Sequence, residues 1–157
     1  MLIQFQNYLT FENIYLWTNF GVLPFWLMLI IIPNSKVTQI LINSIILPLI
    51  LSVAYVYVFY QAILLDEPLF GIFKLYLSLD DLYTVFATEN FLLIFWIHFL
   101  ALNLFLGSWV SRDAVKYNMT RGLVFVPLVL IYLTGPLGLV LYWIFRIFYA
   151  KRLGFHD

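Results

Sequence analysis

The sequence predicts an all-α integral membrane protein: a bundle of four transmembrane helices, with a short interfacial amphipathic helix between the second and third. Three observations carry that prediction. Four charge-free stretches, Asn13–Ser35, Val37–Leu65, Asn90–Ser111 and Gly122–Phe145, occupy most of the 157 residues. The chain is 64% apolar with a mean hydropathy of +0.99 and only 10% charged residues, against about 25% charged in a soluble domain. A two-faced segment, Leu79–Thr88, interrupts the apolar runs once. A helix rises about 1.5 Å per residue and a hydrocarbon core is about 30 Å thick, so about 20 apolar residues suffice to cross it. All four stretches meet that length, and the whole chain, 1–157, reads as a single membrane domain.

The first span, 13–35, starts after Glu12 and closes on Pro33-Asn34, with Pro24 inside it. Membrane helices tolerate such a proline where neighbours re-satisfy the freed carbonyl. The second, 37–65, is the longest uncharged run and carries Pro48 near its middle. The connection from Asp66 to Glu89 mixes apolar side chains with scattered charges. Within it Ser78-Leu79-Asp80-Asp81 reads as a helix start, with a serine cap and two carboxylates at the positive end of the dipole. Leu79, Leu82, Tyr83 and Phe86 then share one side, and Asp80, Asp81, Thr84 and Thr88 the other. That pattern predicts an interfacial helix over 78–88, or one packed over the mouth of the bundle. The third span, 90–111, carries Trp96, His98, Asn103, Gly107 and Trp109. The fourth, 122–148, contains the break Gly135-Pro136-Leu137-Gly138.

Four crossings put both termini on one side. Basic residues divide evenly, with Lys74, Arg146, Lys151 and Arg152 on the terminal side and Lys36, Arg112, Lys116 and Arg121 opposite. Lys36 follows the first span and is its only basic flank, which places both termini outside. No Lys or Arg precedes Lys36, so Met1 reads as a true start without a secretory signal, in a bacterial cytoplasmic membrane.

Zero net charge and zero cysteines argue against nucleic acid as a partner and exclude disulfides and thiolate chemistry. His98 and His156 lack metal-site spacing, so neither a metal nor another cofactor is expected. Polar groups at membrane depth are the functional candidates by default. His98 and Asn103 lie five residues apart, about 140° around a helix, so they address different neighbours. His98 shares its face with Leu102, Phe105 and Trp109; Asn103 shares its own with Trp96, Phe99 and Gly107. Each serves either as hydrogen-bonding glue between helices or as a ligand contact. Ser111-Arg112-Asp113 with Lys116 and Arg121 is either a solvated loop or the polar rim of a cleft, where an arginine meets a lipid headgroup or a substrate hydroxyl. Arg146, one turn past Tyr142, reads as a snorkelling cation. Aromatics, 20% of residues, include interfacial belts; the deeper Trp26, Trp96 and Phe99 suit packing or the lining of a cleft for a long conjugated ligand. No span contains Asp, Glu or Lys, which weakens a transporter reading.

Two segments resemble a known family. Asn19-Phe20-Gly21-Val22-Leu23-Pro24-Phe25-Trp26-Leu27, closing on Pro33, is similar to the first span of the abscisic-acid-deficient-four-like family. Trp96-Ile97-His98, Asn103-Leu104-Phe105, Asp113, Thr120-Arg121 and Gly135-Pro136-Leu137-Gly138 resemble its second half. The resemblance implies a four-helix membrane protein tied to carotenoid metabolism, since plant members are plastid proteins required to form neoxanthin. Where the family commonly has Asp, this chain has Asn103, which can replace a hydrogen-bond anchor but not a carboxylate doing acid–base work. The expected function is therefore association with carotenoid, xanthophyll or related isoprenoid metabolism, as binder, accessory factor or isomerase-like protein. The alternative is a non-catalytic structural subunit or assembly factor of a larger membrane complex. Expected ligand contacts are Asn19, Trp26, Trp96, His98, Asn103, Trp109, Arg112, Asp113 and Arg121. Expected partners are membrane lipid, a carotenoid or isoprenoid ligand, and a membrane-protein partner or second copy.

Overall fold

The computed structural model describes residues 9–42, 44, 46–65, 73 and 76–150. Most of the Asp66–Leu75 stretch and the Lys151–Asp157 tail, His156 included, lie outside the described residues. Every regular element among the described residues is helical. Three segments are long and apolar enough to cross a membrane: Phe11–Ile31, Lys36–Ala62 and Glu89–Lys116. The chain divides into two compact units. One takes in residues 1–20 and 49–100, the other 21–48 and 101–157.

In the first unit, the opening half of α1 (Phe11–Ile31), α3 (Ile46–Leu65), α4 (Leu79–Phe86) and the first half of α5 (Glu89–Lys116) come together. Ile14, Val58, Leu93, Ile94 and Ile97 form the buried core, with Tyr55, Tyr57 and Phe59 packed on it. Each helix buries only one narrow side and leaves large apolar residues such as Trp17, Phe20, Val53 and Val56 exposed, as lipid-facing helices do. Helix α3 begins at Ile46, so Pro48 lies in its first turn, where no intrahelical donor is needed and proline costs little. The sequence places the same proline mid-span, where it would have kinked the helix.

The cap on α4 is the expected one: Ser78 Oγ accepts from the Asp81 N–H at 3.0 Å and donates to Asp81 Oδ2 at 2.6 Å. Leu79 and Tyr83 remain exposed on its apolar side, while Phe86 packs edge-on against Phe91 and Phe95 of α5.

In the second unit, α2 (Lys36–Leu41), the end of α1 and the second half of α5 accompany α6 (Arg121–Thr134) and α7 (Pro136–Ala150). Helix α5 runs on to Lys116, 28 residues in all, so Ser111, Arg112 and Asp113 belong to a helix and not to a loop. Asn118, at φ 51°, turns the chain, and Met119 N–H bonds back to the Ala114 carbonyl at 2.9 Å, a left-handed helix exit that asparagine tolerates.

The fourth span differs from the sequence expectation. It is two helices of 14 and 15 residues separated at Gly135, and α7 folds back along α6. Gly135 takes φ 69° and ψ −87°, open to glycine at little cost. Pro136 then begins α7 at the position where a missing N–H is harmless. Gly138 makes the fold-back possible: a Cβ there would stand 2.5 Å from the Pro127 carbonyl oxygen. As one straight helix, Arg121 and Arg146 would be about 37 Å apart at 1.5 Å per residue. Instead Arg146 bonds to Asp113, eight residues before Arg121.

Candidate functional site

The expected site residues fall in several places. In the first unit the Trp96 indole N–H donates to Asn19 Oδ1 at 2.9 Å, and Tyr15 and Phe99 lie against the same indole at 6.2 and 5.4 Å between ring centroids. The two candidates thus meet, and they satisfy each other. His98 is exposed, its ring tilted against Tyr55 at 6.2 Å. Leu102 and Phe105 on its face are exposed as well. The expectation of an interior-facing histidine is therefore not met, because the core is filled from the other side of α5 by Leu93, Ile94 and Ile97.

In the second unit the face carrying Asn103 and Gly107 is the buried one. The Trp26 indole lies against Gly107, close enough that a Cβ there would fall 2.5 Å from its ring, and meets Tyr132 edge-on at 5.5 Å. Asn103 lies against Gly135.

Asp113, expected at a polar rim, is buried in a network that the sequence reading missed. Its Oδ2 accepts from the Tyr142 hydroxyl at 2.7 Å and from Arg146 Nε at 2.7 Å. Arg146 is not a snorkelling cation: it is 1% exposed, with its guanidinium over the rings of Tyr117 and Trp143 at 5.0 and 4.9 Å. Trp109 completes the wall, stacked on Trp143 and edge-on to Tyr142. The available signal was the pair of four-residue spacings, Asp113/Tyr117 and Tyr142/Arg146, each one helical turn. Only the fold-back brings the two turns together. Arg112 remains exposed.

Arg121 does border a cleft. A recess of about 210 Å³ is walled by Leu29, Val124, Phe125 and Leu128, with Asn34, Ser111 and Asn118 among its polar lining. Arg121 opens α6, the dipole end least favourable to a cation. Its Nη1 donates to the Ile31 carbonyl at 3.4 Å, at the opposite end of α1, where a cation is favoured. The guanidinium is exposed and its remaining N–H groups have no partner among the described residues. An engineered cavity of about 150 Å³ accepts benzene, so this recess has room for one substituted six-membered ring and not for a polyene. The deeper tryptophans do not line it: Trp26 packs on Gly107 and Tyr132, and Trp96 on Asn19, Tyr15 and Phe99.

The family model of the ABA DEFICIENT 4-like proteins matches residues 13–142. The chain belongs to that family. Membership links it to the neoxanthin and xanthophyll pathway, and the matched stretch takes in Asn103, Asp113, Arg121 and Tyr142 but stops short of Arg146. No curated protein and no solved structure gives a match.

Proposed function

We propose that this protein holds an oxygenated isoprenoid of the xanthophyll type by one cyclic end group, serving as a membrane binder or accessory factor in that pathway. The observation that carries the reading is the one-ring recess with Arg121 at its edge. A guanidinium with free N–H groups offers a hydroxylated ring a charge-assisted hydrogen bond, while leucine, valine and phenylalanine take the ring carbons. The conjugated chain, too long for the recess, extends along the lipid-facing side of the helices. Among the described residues no carboxylate or histidine lines the recess, so binding fits this geometry better than acid–base isomerisation.

The membrane is read as a bacterial cytoplasmic membrane, with α4 lying at its surface, its exposed Leu79 and Tyr83 turned to lipid. In this topology α6 and α7 enter the bilayer as a hairpin and leave it on the side they entered. By connectivity, three crossings and a hairpin place Thr10 and Ala150 on opposite faces, in place of the shared face that four straight crossings require.

The test is mild-detergent purification from cells supplied with a hydroxylated cyclic carotenoid or with its hydrocarbon parent, followed by pigment extraction. The protein should retain the hydroxylated compound preferentially, and Arg121→Gln should lower that retention by about tenfold, as loss of a charge-assisted bond implies. Equal retention of both pigments defeats the reading. A stoichiometric protein partner without pigment would instead support a structural subunit or assembly factor.

A further inference from the structure

The α6–α7 turn lies beside the middle of α5, where Asn103 sits. A Cβ on Gly135 would stand 2.6 Å from Asn103 Oδ1 and 3.6 Å from its Nδ2, so the whole amide lies against the turn. Asn103 is 7% exposed, and its buried Nδ2 has no hydrogen-bond partner among the described residues. An orphaned buried donor is rare in a native fold.

Independent donors stand at the same turn. Helix α7 is 15 residues long, and its first backbone bond runs from the Leu139 N–H to the Gly135 carbonyl at 3.2 Å. Pro136 has no N–H. The Leu137 and Gly138 N–H groups lie in the first turn, directed toward Gly135, and have no partner within α7 itself. The orphaned amide of Asn103 and the N-terminal end of α7 thus meet at one place. Pro136 and Leu137 are exposed, and Leu137, at 61%, leaves the turn reachable from lipid.

The acceptor must be uncharged. No charged residue occurs in Asn90–Ser111 or Gly122–Phe145, so an anion at this depth would lack a counter-ion. Broken helices whose free ends turn toward a ligand are a recurrent device at mid-membrane.

We infer that the α6–α7 turn is a binding site for an uncharged acceptor oxygen, a carbonyl, ether or hydroxyl oxygen carried by an otherwise apolar ligand that arrives through the bilayer. The site does not depend on the recess beside Arg121, whose lining includes none of Asn103, Gly135, Leu137 or Gly138.

The test observes the orphaned atom directly. Asn103 is the only asparagine preceded by leucine, so labelling leucine carbonyls with 13C and asparagine with 15N identifies its backbone resonance, and through it the side-chain amide. The full chain in detergent micelles is titrated with β-ionone, a ring-sized conjugated ketone, and separately with the matching hydrocarbon. The ketone should move one Nδ2 proton downfield, and the hydrocarbon should not. Arg121→Gln should leave the shift in place, which separates failure here from failure of the recess. Asn103→Leu should fold, because replacing an unpartnered buried amide by an apolar group of similar shape is near neutral or stabilising. It should bind β-ionone about three- to tenfold more weakly, as loss of one neutral hydrogen bond implies. No shift with the ketone, or the same shift with the hydrocarbon, overturns the inference. So does a resonance already downfield and unmoved by ketone, which marks bound water alone. Unchanged affinity in Asn103→Leu also overturns it.

Discussion

Replacing Asp113 by Asn removes one charge from a pair whose side chains are 9% and 1% exposed. The carboxylate holds Arg146 through Nε at 2.7 Å, with a longer contact from Nη2 at 3.5 Å, and receives the Tyr142 hydroxyl at 2.7 Å. Removing one partner leaves a guanidinium buried without compensation, which costs about 3–5 kcal/mol. Tyr142→Phe removes one hydrogen bond to a charged acceptor and should cost about 1.5–3 kcal/mol. Replacing both charges together, Asp113→Leu with Arg146→Met, removes the unpaired charge as well as the pair, and should come out near wild type or above it, because packed apolar residues often equal a buried ion pair. The assay is equilibrium unfolding by SDS titration in mixed micelles, followed through tryptophan fluorescence. The expected ranking is Asp113→Asn worst, Tyr142→Phe intermediate and the double apolar replacement mildest. An Asp113→Asn loss under about 1 kcal/mol, the range of exposed pairs, would show that Arg146 does not return to α5, and the hairpin would fall with it.

Three further outcomes follow from the same fold. Gly138→Ala should destabilise by about 1–3 kcal/mol, the usual cost of overpacking, because its Cβ would meet the Pro127 backbone, whereas Gly21→Ala, with open space around it, should be neutral or gain up to about 1 kcal/mol from helix propensity; thermal unfolding of the two variants side by side checks this. Reporters fused after Lys116 and after Ala150 should report the same side of the membrane, and opposite sides would restore a straight fourth span. His98→Leu should leave stability within about 0.5 kcal/mol and pigment retention unchanged, since the ring is exposed on the outer face of α5.

Membrane class, helical content and the α4 cap were legible in the sequence because each depends on local chemistry: long uncharged runs, a serine ahead of two aspartates, apolar residues at helical spacing. The start and end of the third span were legible in part. Hydropathy fades at Arg112, but the helix persists to Lys116, and Arg146 neutralises Asp113 from another helix. Uncharged length also treats 122–148 as one object, and only the backbone near Gly135 and the close approach at Gly138 divide it. The buried face of α5 was not legible for a related reason. Five-residue spacing establishes that His98 and Asn103 point apart, yet which of them faces protein depends on neighbours that the spacing does not name. Asn19 and Trp96 were singled out separately, and their mutual hydrogen bond is a contact between residues 77 positions apart.

The hairpin bears on how the chain enters the membrane during synthesis. At 14 residues, α6 reaches about 21 Å and cannot span a core of about 30 Å. When it leaves the ribosome it has no stable transmembrane state of its own, and it must wait for α7 to emerge. On the proposed topology the two insert together, and Arg146 reaches Asp113 only once α7 has emerged. In that hairpin topology, a chain released after Thr134 would strand α6 at the interface and leave Asp113 without its cation, so α6 and α7 insert as one unit.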